Sequence, residues 1–140
     1  MSVSFFVAGT PVPQGSKTAF VVGKRAVLTD ANKDKLKPWR AEVTRVAGEA
    51  WAGRESLAGA VSVEVRFVFE RPKTVKRDTP HVKPDIDKLL RALFDGVTDA
   101  KVWLDDAQVV RVTATKVYGA VAGVDVSISR FFGTNGGDKK

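Results

Sequence analysis

The sequence predicts an α+β domain: a mixed, mostly antiparallel β-sheet carrying two packed α-helices. Three observations predict it. Val61, Val63, Val65, Phe67 and Phe69 alternate with Ser62, Glu64 and Arg66, the period of a half-buried strand. Two apolar stripes recur at helical spacing, Leu36-Trp39-Val43-Val46-Ala47-Ala50 and Ile86-Leu89-Leu90-Leu93-Phe94-Val97. Two Val/Thr-rich runs, Gln108–Tyr118 and Gly123–Phe131, close the pattern as strands.

Taken in order, Val3, Phe5 and Val7 open a first strand, which Gly9-Thr10-Pro11-Val12-Pro13 stops. Ala19–Val22 and Ala26–Leu28, around Gly23-Lys24-Arg25, form a short hairpin. The first helix runs from about Lys37 to Trp51, with Pro38 in its first turn, where a missing N–H costs little. Gly53 and Gly59 release the chain into the central strand, Ala60–Glu70. A basic loop, residues 71–80, leads to the second helix, about three turns long and capped by Asp85. Val102-Trp103-Leu104 is strand-like, and the last two strands pair through a Gly119–Gly123 turn. One domain covers residues 1–132, and residues 133–140 form a loose tail.

Composition narrows the chemistry. A chain of 140 residues with 44% hydrophobic and 28% charged residues suits one globular domain. With no cysteine, disulfides, zinc–thiolate sites and cysteine nucleophiles are excluded. The opening MSVSFFVAG lacks the basic start and long apolar run of a secretory signal, and no stretch is apolar enough to span a bilayer, so a cytoplasmic protein without membrane attachment is expected. The net charge of +7 points to an anionic partner, nucleic acid first. Basic residues concentrate in 17–37 and 71–83, making Lys17, Lys73, Lys76, Arg77 and Lys83 candidate DNA contacts. Gln14-Gly15-Ser16-Lys17 lacks the glycine spacing of a nucleotide-binding loop, so no nucleotide cofactor is expected.

Against that basic background, six of the 16 acids (Asp85, Asp87, Asp95, Asp99, Asp105 and Asp106) fall between positions 85 and 106. A metal ion, cationic side chains or solvent must take up that charge. A structural reading exists for the helix start: Asp85 as cap, Asp87 favoured by the helix dipole and paired with Arg91. Adjacent Asp105 and Asp106 shift the balance, because a turn needs only one of them. If they meet the helix start, three or four carboxylates could bind a hard divalent cation such as Mg²⁺. His81, the only histidine, reads as a bystander, and Trp39, Trp51 and Trp103 as packing residues rather than base-stacking platforms.

Pro84-Asp85-Ile86-Asp87, Leu89-Leu90-Arg91-Ala92, Phe94-Asp95 and Trp103-Leu104-Asp105-Asp106-Ala107-Gln108-Val109 together resemble the RusA family of Holliday junction resolvases. The resemblance is most specific over Lys83 to Val110, and Gly9-Thr10-Pro11-Val12-Pro13 is similar to the family's amino-terminal loop. It implies a homodimeric, Mg²⁺-dependent endonuclease, with Mn²⁺ as a substitute, that cuts four-way DNA junctions symmetrically and is often carried by phages or prophages. The family's essential aspartates fall on Asp85, Asp87 and Asp106, with Asp105 as the neighbouring acid and metal candidate. Its functional cation falls on Arg91. Here the chain departs from the family, which commonly has asparagine at Lys88 and lysine at Arg91. An arginine keeps the charge but is a poor proton donor, so Lys88 is an alternative source of the cation. The alternatives in function are a Mg²⁺ nuclease for flaps or other branched DNA, and a non-catalytic DNA-binding protein.

Overall fold

The computed structural model describes residues 1–15, 17–22, 25–30 and 33–133, the side chains of 17–33 excepted. Its elements are β1 (Ser2–Ala8), β2 (Lys17–Val22), β3 (Arg25–Asp30), α1 (Lys33–Trp51), β4 (Val61–Phe69), α2 (Ile86–Asp99), a single 3₁₀ turn (Asp106–Gln108), β5 (Val109–Tyr118) and β6 (Gly123–Arg130). The main sheet has the order β1-β6-β4-β5, and β2 and β3 form a separate antiparallel ribbon. Among the described strand pairs, only β4 and β5 are parallel. The α+β class with a mixed sheet and two helices is therefore the fold observed.

Alternation explains why the sheet has one dry face. In register, Val7, Val124 and Phe67 form one row, and Val3, Ile128 and Val63 another, and all six are buried. The facing rows carry Ser4 hydrogen-bonded to Ser127 and Arg66 paired with Asp125 at 2.9 Å. The helices cover the dry face with Leu36, Trp39, Val43, Ala47 and Trp51 from α1 and Leu89, Ala92, Leu93 and Val97 from α2. They meet at Gly96, where an added Cβ would stand 2.6 Å from Val43 Cγ1. All three tryptophans are buried in this core, so none is free to stack on a base. Among the described residues, no helix is long and apolar enough to cross a membrane.

Three expectations are corrected. Helix α1 starts at Lys33, four residues early, so Pro38 lies inside it rather than in its first turn. The helix tolerates it at the loss of one backbone bond, because Leu36, Trp39 and Val43 are buried on both sides of it. Asp85 is the N-cap of α2 by position, yet its side chain makes no capping bond. It pairs instead with Lys88 at 3.5 Å, and no Asp87–Arg91 pair forms among the described residues. Finally, β5 and β6 run antiparallel but are not neighbours, because β4 inserts between them. The largely buried β4 takes an interior place beside β6, and the connection crosses its end at Gly119, whose N–H bonds Phe69 O at 2.9 Å. A Cβ there would fall 2.7 Å from Val68. The residues proposed as a tail lie outside the described residues from 134 onward.

Candidate functional site

The double aspartate owes its position to Gln108. The Gln108 side-chain oxygen accepts from the N–H groups of Leu104 (2.9 Å) and Asp105 (3.1 Å). Its amide nitrogen donates to Leu57 O and Gly59 O, both at 2.9 Å. Four bonds from one side chain thus pin the turn to the loop that leads into β4. Asp105 Oδ1 accepts from Ala107 N–H at 2.9 Å, which makes it the cap of the 3₁₀ turn. Buried Trp103 anchors the approach to the turn. It pairs with Leu57 as an isolated bridge, its indole N–H donates to Thr98 Oγ1 at 2.6 Å, and its ring meets Phe94 edge-on. The same residues that build the core therefore aim the acids outward.

Asp106 stands apart electrostatically. Although the residue is exposed as a whole, partial burial of its carboxyl pushes its pKa above the ordinary aspartate value. The like charges of Asp105 and then Asp95 push it further in the same direction. Asp95 belongs to this group because Phe94 and Thr98 bring the second half of α2 against Trp103. No sequence spacing signals that contact. Asp95 is also 3.9 Å from Arg40, which holds Asp99 at 3.4 Å.

Asp85 and Asp87 sit at the other end of α2, and Asp85 is ten residues, or about 15 Å along the axis, from Asp95. Asp87, Arg91 and Asp95 share one helical face at four-residue intervals, so the face links the two ends. The structure thus gathers Asp95, Asp105 and Asp106 at one end and Asp85, Asp87 and Lys88 at the other. Among the described residues, no three acids or histidines form a ready-made metal cage. Beside Asp85, Lys116 from β5 donates to Val82 O and Pro84 O, both at 2.7 Å, which fixes the loop before α2; the Lys83–Pro84 peptide is cis. Sequence reading missed this role of Lys116.

Of the candidate DNA contacts, Lys73, Lys76 and Lys83 are exposed. Arg77 is half-buried, its Nε donating to the Tyr118 hydroxyl at 3.0 Å, so it braces the basic loop against β5. The side chain of Lys17 lies outside the described residues. His81 is exposed, with Nδ1 2.9 Å from the Thr79 hydroxyl. Arg91 is exposed, and among the described residues it has no ion-pair partner, whereas Lys88 shares its charge with Asp85.

A family model described as endodeoxyribonuclease RusA matches residues 8–129. The chain is 34% identical over 79 residues to the crossover junction endodeoxyribonuclease RusA of Shigella sonnei, a match covering 56% of this chain and 58% of that protein. The proteins of the same name from Escherichia coli strains O1:K1 and K12 are 33% identical over 85 residues, covering 53% of this chain and 65% of theirs. The matches therefore span less than two thirds of the length of these curated relatives.

Proposed function

Since the chain belongs to the RusA family, we propose that it is an endodeoxyribonuclease that resolves four-way DNA junctions by paired symmetric nicks. The observation that carries this reading is the family model described as endodeoxyribonuclease RusA over residues 8–129; the crowded carboxyl of Asp106, raised by burial and two neighbouring acids in a chain with a net charge of +7, supports it. A carboxyl raised in this way beside two further acids is a candidate ligand or catalytic group.

The donor set suits Mg²⁺, with Mn²⁺ as a substitute: hard carboxylate oxygens, few of them bonded elsewhere. Mg²⁺ is held by one or two carboxylates, waters and substrate phosphate oxygens, so no preformed cage of three acids is required. Asp106 with Asp105, and Asp85 with Asp87, would hold it. When bound, the ion supplies a more acidic water and neutralises charge on the phosphate oxygens. Arg91, on the face between the two acidic ends, clamps a phosphate oxygen through its planar fork. Lys73, Lys76 and Lys83 hold the flanking backbone. Two nicks on symmetry-related strands require two such sites, hence a homodimer.

Cleavage of a synthetic four-way junction in Mg²⁺, abolished by EDTA and absent from linear duplex, is the expected result. Binding without cleavage under either metal would favour a non-catalytic DNA-binding protein. Equal cleavage of flaps would favour a general branched-DNA nuclease.

A further inference from the structure

Along β5, Lys116 is in register with Phe67 and Tyr118 with Phe69, so both stand at positions of the dry face. Alternation asks for apolar residues there, yet a lysine and a tyrosine occupy them, both half-buried. With the basic loop they wall a cavity of about 160 Å³, to which Arg77, Lys83, Pro84 and Glu70 also contribute. The loop is braced by Arg71, whose Nη1 donates to Arg77 O at 3.3 Å.

The wall is rich in donors and short of acceptors. Arg77 donates its Nε–H to the Tyr118 hydroxyl at 3.0 Å, and among the described residues its two Nη groups have no acceptor. The hydroxyl, having accepted that bond, keeps its own proton to give. Lys116 donates two of its three protons to Val82 O and Pro84 O, both at 2.7 Å, and keeps the third. Lys83 is exposed, and no ion pair among the described residues involves Arg77, Lys83 or Lys116. Three cations thus line the cavity against one carboxylate, that of exposed Glu70. Cations held in place by the fold and left without counter-ions are complementary to an oxyanion. The volume is that of about five waters in the liquid, which admits a phosphate group and excludes a nucleoside.

We propose that this cavity holds one phosphate of the DNA backbone and so sets the register of the strand against Asp85. The proposal rests on the reading of the chain as a branched-DNA nuclease. Arg77 and Tyr118 clamp the phosphate oxygens. Lys116 ties the cavity to the acidic face, because Pro84, whose carbonyl it holds, immediately precedes Asp85. Lys73 and Lys76 are exposed and do not line the cavity. A phosphate seated among fixed donors positions the strand, whereas exposed lysines add affinity without register.

The test replaces single phosphates of a synthetic four-way junction by uncharged methylphosphonates, one backbone position at a time. Binding is measured in EDTA, so no cleavage is involved. With wild type, substitution at one position near the point of exchange, and at its symmetry mate, should weaken binding roughly tenfold, the loss of a charge-assisted clamp. Tyr118→Phe keeps the ring and loses the O–H, and Arg77→Gln loses the charge and the fork. In each variant that penalty should fall below about threefold, while the other positions keep their wild-type values. A general loss of affinity does not mimic this, because each penalty is a ratio within one variant. Arg77→Gln should also lower the slope of log affinity against log salt by about one. This profile from a protein that cuts no junction in Mg²⁺ supports the cavity, and the nuclease reading alone then fails. A flat profile, or a sensitive position that both folded variants retain, overturns the proposal. A flat profile with an Arg77 Nε resonance shifted by millimolar inorganic phosphate overturns it too, by reassigning the cavity to a free anion.

Discussion

Asp106 is a residue whose charge costs the folded chain stability. Partial burial, Asp105 and Asp95 raise its carboxyl above the ordinary aspartate value, so the folded chain keeps that proton to higher pH than the unfolded chain does. Between those two values the folded state binds more protons, and stability falls as pH rises. Asp106→Asn removes the charge at almost constant volume. The variant should melt above wild type at pH 7, and the gap should close below the ordinary aspartate range, where wild type is protonated too. Mg²⁺ should raise the wild-type midpoint and leave that of Asp106→Asn nearly unmoved, because a ligand stabilises only the state that binds it. Junction cleavage by Asp85→Asn, Asp87→Asn or Asp106→Asn should fall by a factor on the order of a hundred or more while binding persists. Near-normal cleavage by Asp106→Asn would remove it from the site. Arg91 and Lys88 separate by the same logic. Lys88 is shared with Asp85 at 3.5 Å, so Arg91→Ala should be the more damaging change, losing roughly tenfold or more in cleavage, with much restored in Arg91→Lys. Rates showing Lys88→Ala as the worse variant would reverse the assignment.

The elements matter here through how they aim these residues. Gln108 makes four backbone bonds across the turn that carries Asp105 and Asp106, so it is a positioning residue. Gln108→Ala should lower stability by about 1–3 kcal/mol in urea titration, and should reduce cleavage more than junction affinity. Equal losses in both would show that the whole surface, not the turn, had moved. Gly96→Ala puts a methyl 2.6 Å from Val43 where the helices cross, and should cost about 1–3 kcal/mol through forced separation of α1 and α2. Much of this architecture is legible in the sequence because it is local. Strand β4 declares itself by alternation from Val61 to Phe67, and α2 by Leu89, Leu93 and Val97 on one stripe. What is not legible is pairing at a distance. Gly119–Gly123 between two Val-rich runs signals a hairpin, and nothing near it reveals that β4 enters between them. Likewise the six clustered aspartates are visible as unusual chemistry, whereas the approach of Asp95 to Asp106 depends on how α2 lies against Trp103.

At the scale of the whole molecule, charge and symmetry decide what the chain can bind. One chain presents one acidic face, and resolving a junction takes two matched nicks, so the proposal stands or falls with assembly. A two-fold dimer gives the two faces opposite polarity, as the two symmetry-related strands of a junction require. The edges of the main sheet are β1 and β5, and β5 carries the exposed apolar residues Val110 and Val112. In the dimer the exposed Lys73, Lys76 and Lys83 are duplicated, and each phosphate they neutralise releases counterions. Six or more such contacts predict a loss of about a thousandfold in junction affinity between 50 and 200 mM salt. Replacing Lys73 and Lys76 with alanine should flatten that slope without altering which bond is cut, since neither touches a base edge in this reading. Light scattering at micromolar concentration, combined with competition between junction and linear duplex across a salt series, measures all three quantities. A monomer that binds both DNAs equally would leave the acidic face with one nick to make, and the chain would then be a general nuclease rather than a resolvase.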